Sequence, residues 1–179
     1  MRRIVVGLAR QLAERGIGSH IGDLPGSGES LVETGNIVLQ DWHDAVAALT
    51  KQVSERTGRL PHLASLRGGA LIDLQASGAS WWRFAPASGS ELMRAMRRTQ
   101  RFSASTDEGY GGYRIAPGLE QALDNAVVSP PEGPCRESSV LIEGTPIWRR
   151  AEPDDDSNLV SCLAADLVGW IEACEASSS

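Results

Sequence analysis

Three places in this chain hold residues whose types and spacing could do chemistry. The first is the loop Asp23-Leu24-Pro25-Gly26-Ser27-Gly28-Glu29-Ser30. A phosphate-cradling loop carries a lysine just before its Ser or Thr, and here Glu29 stands in that place with the wrong sign. Nor does Gly26-Ser27-Gly28 open a dinucleotide fingerprint, because Leu31 occupies the position of the third glycine. Nucleotide binding is therefore not expected. The second place is the bend Ser65-Leu66-Arg67-Gly68-Gly69-Ala70, which has the form small-x-nucleophile-x-small. Small residues flank such a bend because a tight strand-to-helix turn leaves no room for side chains. Its central residue is Arg67, and a guanidinium stays protonated and cannot attack a carbonyl. The third place is the set His20, His43 and His62, all of which precede Arg67. A hydrolase triad runs nucleophile, acid, histidine, so no general base follows where one is needed.

Arg67 has two readings. At a helix start, beside the N–H groups of Gly68 and Gly69, its guanidinium would bind a carboxylate or phosphate in bidentate fashion. Alternatively it pairs internally with an acid such as Glu143 or Glu152. Ser65 is the weak alternative as a nucleophile, with His62 as base, but three positions along a strand point to opposite faces. Arg94, Arg97, Arg98 and Arg101 recur at helical spacing, either as a solvated face or turned to the acidic C-terminal helix or an acidic partner. His43, between Asp41 and Asp44, reads as a surface residue, and Trp81, Trp82 and Trp148 as packing residues, Trp148 alternatively walling a pocket.

The elements that must position these residues follow from periodicity. Ile4, Val5, Leu8 and Leu12 predict a first helix closed by Gly16, and residues 17–21 a short strand. A helix is expected over 38–56, ended by Gly58, and strands over 60–66 and 79–85 with a helix start at 69–75 between them. Ser88 caps a helix to about residue 102, residues 103–112 read as a surface loop, and Pro117 opens a helix to about residue 125. A strand over 139–143 and a final helix opened by the acids of 152–158 complete the series. Strands alternating with helices predict an α/β class with a mainly parallel sheet and helices on both faces. The expected organisation is one domain over residues 1–174 and a disordered tail over 175–179.

Composition bounds the function. With 41% hydrophobic and 22% charged residues, the chain can bury a core. The net charge of −6 is concentrated after Arg150, where acids recur and no basic residue follows. Bulk charge thus argues against a nucleic-acid partner. No apolar run reaches the length of a membrane span. Cys135, Cys162 and Cys174 are odd in number and widely spaced, which fits a reducing, cytoplasmic setting and supplies no metal pair. No cofactor and no metal are expected, and an oligomer is compatible with the sequence.

The loop at 23–30, Trp42 after it, Leu66-Arg67-Gly68-Gly69-Ala70, and Trp82-Arg83-Phe84-Ala85-Pro86 with Gly89 resemble the exosortase A system-associated hydrolase 2 family. Ile142-Glu143-Gly144-Thr145-Pro146-Ile147-Trp148 followed by Glu152 is similar to that family's Gly-x-Pro-Phe-Trp…Glu segment. The family carries a Gly-Leu-Arg-Leu-Gly-Ala type elbow, so the resemblance makes Arg67 a family feature. It implies a three-layer α/β-hydrolase fold and a link to bacterial exopolysaccharide and protein-sorting systems. The usual first strands and oxyanion loop are lacking here, which reads as a pared-down relative or a start upstream of Met1. The resulting expectation is a protein without triad catalysis that binds an anionic small molecule or a protein of that system. The candidate ligand residues are Arg67, Gly68, Gly69, Asp23 and Trp148. An esterase-like hydrolase with an unorthodox nucleophile is the alternative.

Overall fold

A computed structural model describes residues 2–100, 115–142, 146, 148 and 156–177. The chain forms two compact units, Met1–Ile21 with Arg136–Ser179, and Gly22–Cys135. Its architecture is mixed α/β. Among the described residues there are five α-helices and a three-stranded sheet of order β1-β2-β3.

The first unit is built on α1 (Arg2–Glu14) and α5 (Ser157–Ser177). The i, i+4 spacing of Ile4, Leu8 and Leu12 buries one face of α1, and α5 answers with Val160, Leu163, Ala164 and Leu167. Gly7 permits the approach, since a Cβ there would lie 3.1 Å from Val160 Cγ1. Gln11 Nε2 donates to Ser161 Oγ at 3.2 Å, and Arg136 pairs with Asp166. Gly16 turns the chain out of α1 at a φ of +76°. The strand expected over residues 17–21 does not form: this stretch joins no ladder among the described residues, because Ile17 and Ile21 are separated by Gly18, Ser19 and His20 and meet no partner strand. Helix α5 runs on to Ser177, into the segment expected as a tail.

The second unit holds α2 (Leu39–Thr57), β1 (His62–Leu66), β2 (Ser80–Phe84), α3 (Gly89–Gln100) and α4 (Pro117–Asn125). The ends of these elements follow their sequence signals. Asp41 accepts a hydrogen bond from Val38 N at 2.8 Å to cap α2, and Gly58 closes it in the left-handed conformation. Pro117 occupies the first turn of α4. Ile37, Met93, Leu119 and Leu123 form a buried cluster against which Leu39, Trp42 and Met96 pack. Gly89 makes close packing of α3 and α4 possible, since a Cβ there would fall 1.6 Å from Leu123 O.

Strands β1 and β2 are parallel, in register from His62↔Ser80 to Leu66↔Phe84. The connection between them is not the helix expected over 69–75 but a five-residue 3-10 helix, Arg67–Leu71. Gly68 and Gly69 favour this short turn over an α-helix. The third strand, β3 (Cys135–Glu137), replaces the one expected over 139–143, of which residues 139–142 are not strand. The bond from Trp81 N to Pro134 O at 2.8 Å ties the chain to β2 just before β3 begins.

All five residues of β2 are buried, including Arg83. Its charge is met by Asp73, also buried, through Nε to Oδ2 at 3.1 Å and Nη2 to Oδ1 at 2.6 Å. Arg83 Nη1 donates to Ser129 O at 2.8 Å, and Ser65 Oγ donates to Asp73 Oδ2 at 2.9 Å. Trp81 Nε1 donates to the Asp73 carbonyl at 3.1 Å, while Trp82 stacks on Phe84 with centroids 6.3 Å apart. Removing one partner leaves the other charge buried alone. Arg83→Met is therefore expected to cost about 3–5 kcal/mol in urea unfolding, with Arg83→Met/Asp73→Leu recovering part of that loss.

Candidate functional site

The expected strand-to-helix bend is present, and its backbone is strained at two points. Arg67 follows β1 at a φ of +53°, and Ala85 follows β2 at a φ of +45°. These are the only non-glycine residues with positive φ among those described. Because Leu66 and Phe84 are register partners, the two strained residues stand side by side at the C-terminal ends of adjacent parallel strands. Each costs about 1–3 kcal/mol, a strain that characteristically collects at functional sites. Long hydrogen bonds cross between them: Arg67 Nη1 donates to Ala85 O at 3.4 Å, and Ala87 N donates to Arg67 O at 3.4 Å.

The small residues after Arg67 answer to sterics. A Cβ at Gly68 would sit 2.5 Å from Leu92 Cδ1 of α3, and one at Gly69 would sit 3.1 Å from Ser65 Cβ. The first turn of α3 therefore packs on the bend. Arg67 itself is half-buried.

Glu91, in the first turn of α3, lies within the electrostatic reach of this cation. Its carboxylate accepts hydrogen bonds from Ser88 N at 2.9 Å and Ser88 Oγ at 3.2 Å, while Glu91 N donates to Ser88 Oγ at 3.3 Å. This reciprocal cap holds the Glu91 carboxyl below the usual carboxylate pKa, first through the Ser88 N–H, then its hydroxyl, with help from Arg67 and Arg94.

The other sequence candidates are placed differently. Ser65 spends its hydroxyl on Asp73, whose carboxylate already faces the fork of Arg83, so this serine belongs to the buried clamp. The His62 ring meets Ser80 Oγ at 2.8 Å through Nδ1, at the opposite ends of β1 and β2 from Arg67. Asp23 engages its own loop: Oδ2 accepts from Glu29 N at 3.3 Å, and a Cβ at Gly28 would fall 2.3 Å from Oδ1. Trp42 Nε1 pins that loop to α2 by donating to Pro25 O at 2.9 Å. Asp23 also borders an open groove of about 490 Å³ walled by Leu24, Val46 and Leu49. Trp148 is half-buried and belongs to the unit that does not contain Arg67. His43, expected on the surface, is half-buried on α2, and its Nδ1 is buried without a hydrogen-bond partner. Arg97 turns to α4, donating to Glu120 at 3.0 Å and Asp124 at 3.1 Å. Glu143, Glu152, Arg101 and the loop at 103–112 lie outside the described residues. Among the described residues no three His, Cys, Asp or Glu side chains gather as a metal site.

Sequence reasoning missed the Asp73–Arg83 clamp and the role of Glu91. An arginine inside the apolar run Trp81-Trp82-Arg83-Phe84 was the signal for the first, since such a charge needs a buried acid. Ser88-x-x-Glu91 was the signal for the second.

No family model matches the chain, and no curated protein matches it either.

Two outcomes follow from this geometry. Because glycine accepts a positive φ, Arg67→Gly should unfold at higher urea than Arg67→Ala, by about 0.5–1 kcal/mol. Equal stability would show that the backbone there is not under strain. The depressed pKa of Glu91 makes its cap effective above the ordinary carboxylate range and lost as pH falls through the lower folded value. Acid titration should therefore lower amide protection, measured relative to intrinsic exchange at each pH, in the first turn of α3, and Glu91→Gln should remove that loss of protection.

Proposed function

We propose that this chain is a hydrolase-fold protein of an exosortase-associated exopolysaccharide system that binds an anionic ligand at Arg67 and has no triad catalysis. The observation that carries the reading is a permanent cation held at a φ of +53° where β1 gives way to a short helix. Ligands of parallel α/β sheets gather beyond the carboxyl ends of the strands, and Arg67 stands at that edge. A guanidinium there recognises carboxylate or phosphate through two parallel N–H donors. Ser65 lends little support to a hydrolytic reading, because the carboxylate it meets is already held by both prongs of the Arg83 guanidinium and no histidine stands beside it. The odd number and wide spacing of Cys135, Cys162 and Cys174 support a cytoplasmic setting as part of the same proposal, and no described helix is long and apolar enough to cross a membrane.

Calorimetric titration of the full chain with inorganic phosphate and with acetate tests it. Binding should weaken by about tenfold or more in Arg67→Gln, with the melting temperature unchanged, as expected for loss of a charge-assisted contact. Phosphate and acetate affinities equal to those of the parent would overturn the proposal. So would fluorophosphonate labelling that disappears in Ser65→Ala, which would establish a serine hydrolase.

A further inference from the structure

We infer that the outer edge of β1 is where two copies of this chain join: their β1 strands pair antiparallel about Ala64, and each sheet continues into the other across a two-fold axis. The inference is independent of what Arg67 binds.

β1 is the end strand in the order β1-β2-β3, so its ladder to β2 uses one side only. A strand turns the N–H and C=O of alternate residues to the same side. Pro61 O faces β2, where it accepts from Ala79 N at 2.9 Å. Leu63 and Ser65 therefore turn their backbone groups toward β2, and Ala64 turns its own outward. Among the described residues no hydrogen bond reaches Ala64 from that side. Its side chain is exposed as well and the rest of β1 is half-buried, whereas every residue of β2 is buried.

Folded chains guard such an edge with a charge, a proline or a bulge. β1 has none of the three. The run His62-Leu63-Ala64-Ser65-Leu66 holds no acid, lysine, arginine or proline. Its register with β2 is unbroken from His62↔Ser80 to Leu66↔Phe84. Around Ala64 the edge is left open to pairing.

Geometry selects the occupant. A two-fold axis at Ala64 sets this residue against itself, each N–H donating to the other copy's C=O, with Leu63 facing Ser65 on either side of the centre. The same short run serves both copies, as an isologous contact requires, and no like charges meet. A foreign peptide added to an edge draws its specificity from pockets for alternate side chains. The groove beside Asp23 is no such pocket, since it is walled by α2 and residues 22–24 and includes nothing of β1. Size sets the strength. Five residues give about 17 Å of edge on a sheet about 10 Å thick, an area well short of the roughly 1,000 Å² that a stable interface clears. The association is therefore weak and concentration-dependent.

Sedimentation velocity of the full chain from about 10 μM to about 1 mM reads the mass, and amide exchange by NMR over the same range reads the seam. The weight-average mass should climb from one chain toward two. Protection of the Ala64 amide, measured relative to intrinsic exchange, should rise with it, while Leu63 and Ser65 stay protected by β2 throughout. Ala64→Lys and Ala64→Glu, both at an exposed position, should each weaken association about fivefold or more by setting like charges opposite one another. Mixing the two variants should restore it, because the facing charges are then complementary. The protection measurement needs no variant, so the test holds even where a charge at position 64 costs folding. A mixture no stronger than either variant alone overturns the pairing about Ala64, as does association that neither variant alters. A chain that remains single at about 1 mM overturns the inference outright. If the Ala64 amide of that single chain is protected even so, the edge belongs to an occupant from within the chain.

Discussion

Arg83 sits in the middle of a strand with no exposed residue, and a guanidinium in that position is tolerable only because Asp73 meets it with a two-pronged hydrogen bond. The rest of the second unit is organised around this pair. Ser65 brings the end of β1 to it, Trp81 holds the Asp73 backbone, and Ser129 O accepts from Nη1 of the guanidinium. Four separated stretches of chain are thereby joined at one charge. The clamp lies directly beneath the bend, since Ser65 is two residues before Arg67 and its Cβ faces Gly69. A positive φ at a residue with a side chain survives only where its surroundings over-determine it, and this network together with the Leu92 contact supplies that determination.

How much of this was legible in the sequence depended on whether a signal was local. Gly58, Pro117 and Ser88 each act on the turn they occupy, and each marks its helix end as expected. The alternation of strand and helix around β1 and β2 was equally visible. Residues 17–21 have strand-like ends but nothing to pair with, and a strand cannot exist alone. β3 was invisible for the opposite reason. Cys135, Arg136 and Glu137 have no strand pattern, and position beside β2 alone makes them one. Two glycines turned an expected α-helix into a single tight turn.

The candidate site divides along the same line. The bend and its cation could be read because small-x-Arg-x-small is contiguous. The bond from Arg67 to Ala85 O could not, because Ala85 is brought beside it only by the parallel register of β1 and β2. Ser65 shows the reverse error: its proximity to His62 in sequence invited a catalytic pairing, while the fold commits it to Asp73. Asp23 likewise serves the shape of its own loop. Residue type alone ranks these side chains as reactive, while the hydrogen bonds each makes tie it to its own surroundings.

The left-handed conformation at position 67 is imposed by what surrounds it: Gly68 against Leu92, Gly69 against Ser65, and Ala87 N on the Arg67 carbonyl. None of those constraints involves the guanidinium. These backbone and packing contacts do not depend on the occupant, although the guanidinium adds its own bond to Ala85 O, and one codon change would exchange the side chain presented there while leaving them in place. In such an arrangement a lineage can trade reactivity for recognition, or the reverse, without redesigning its scaffold.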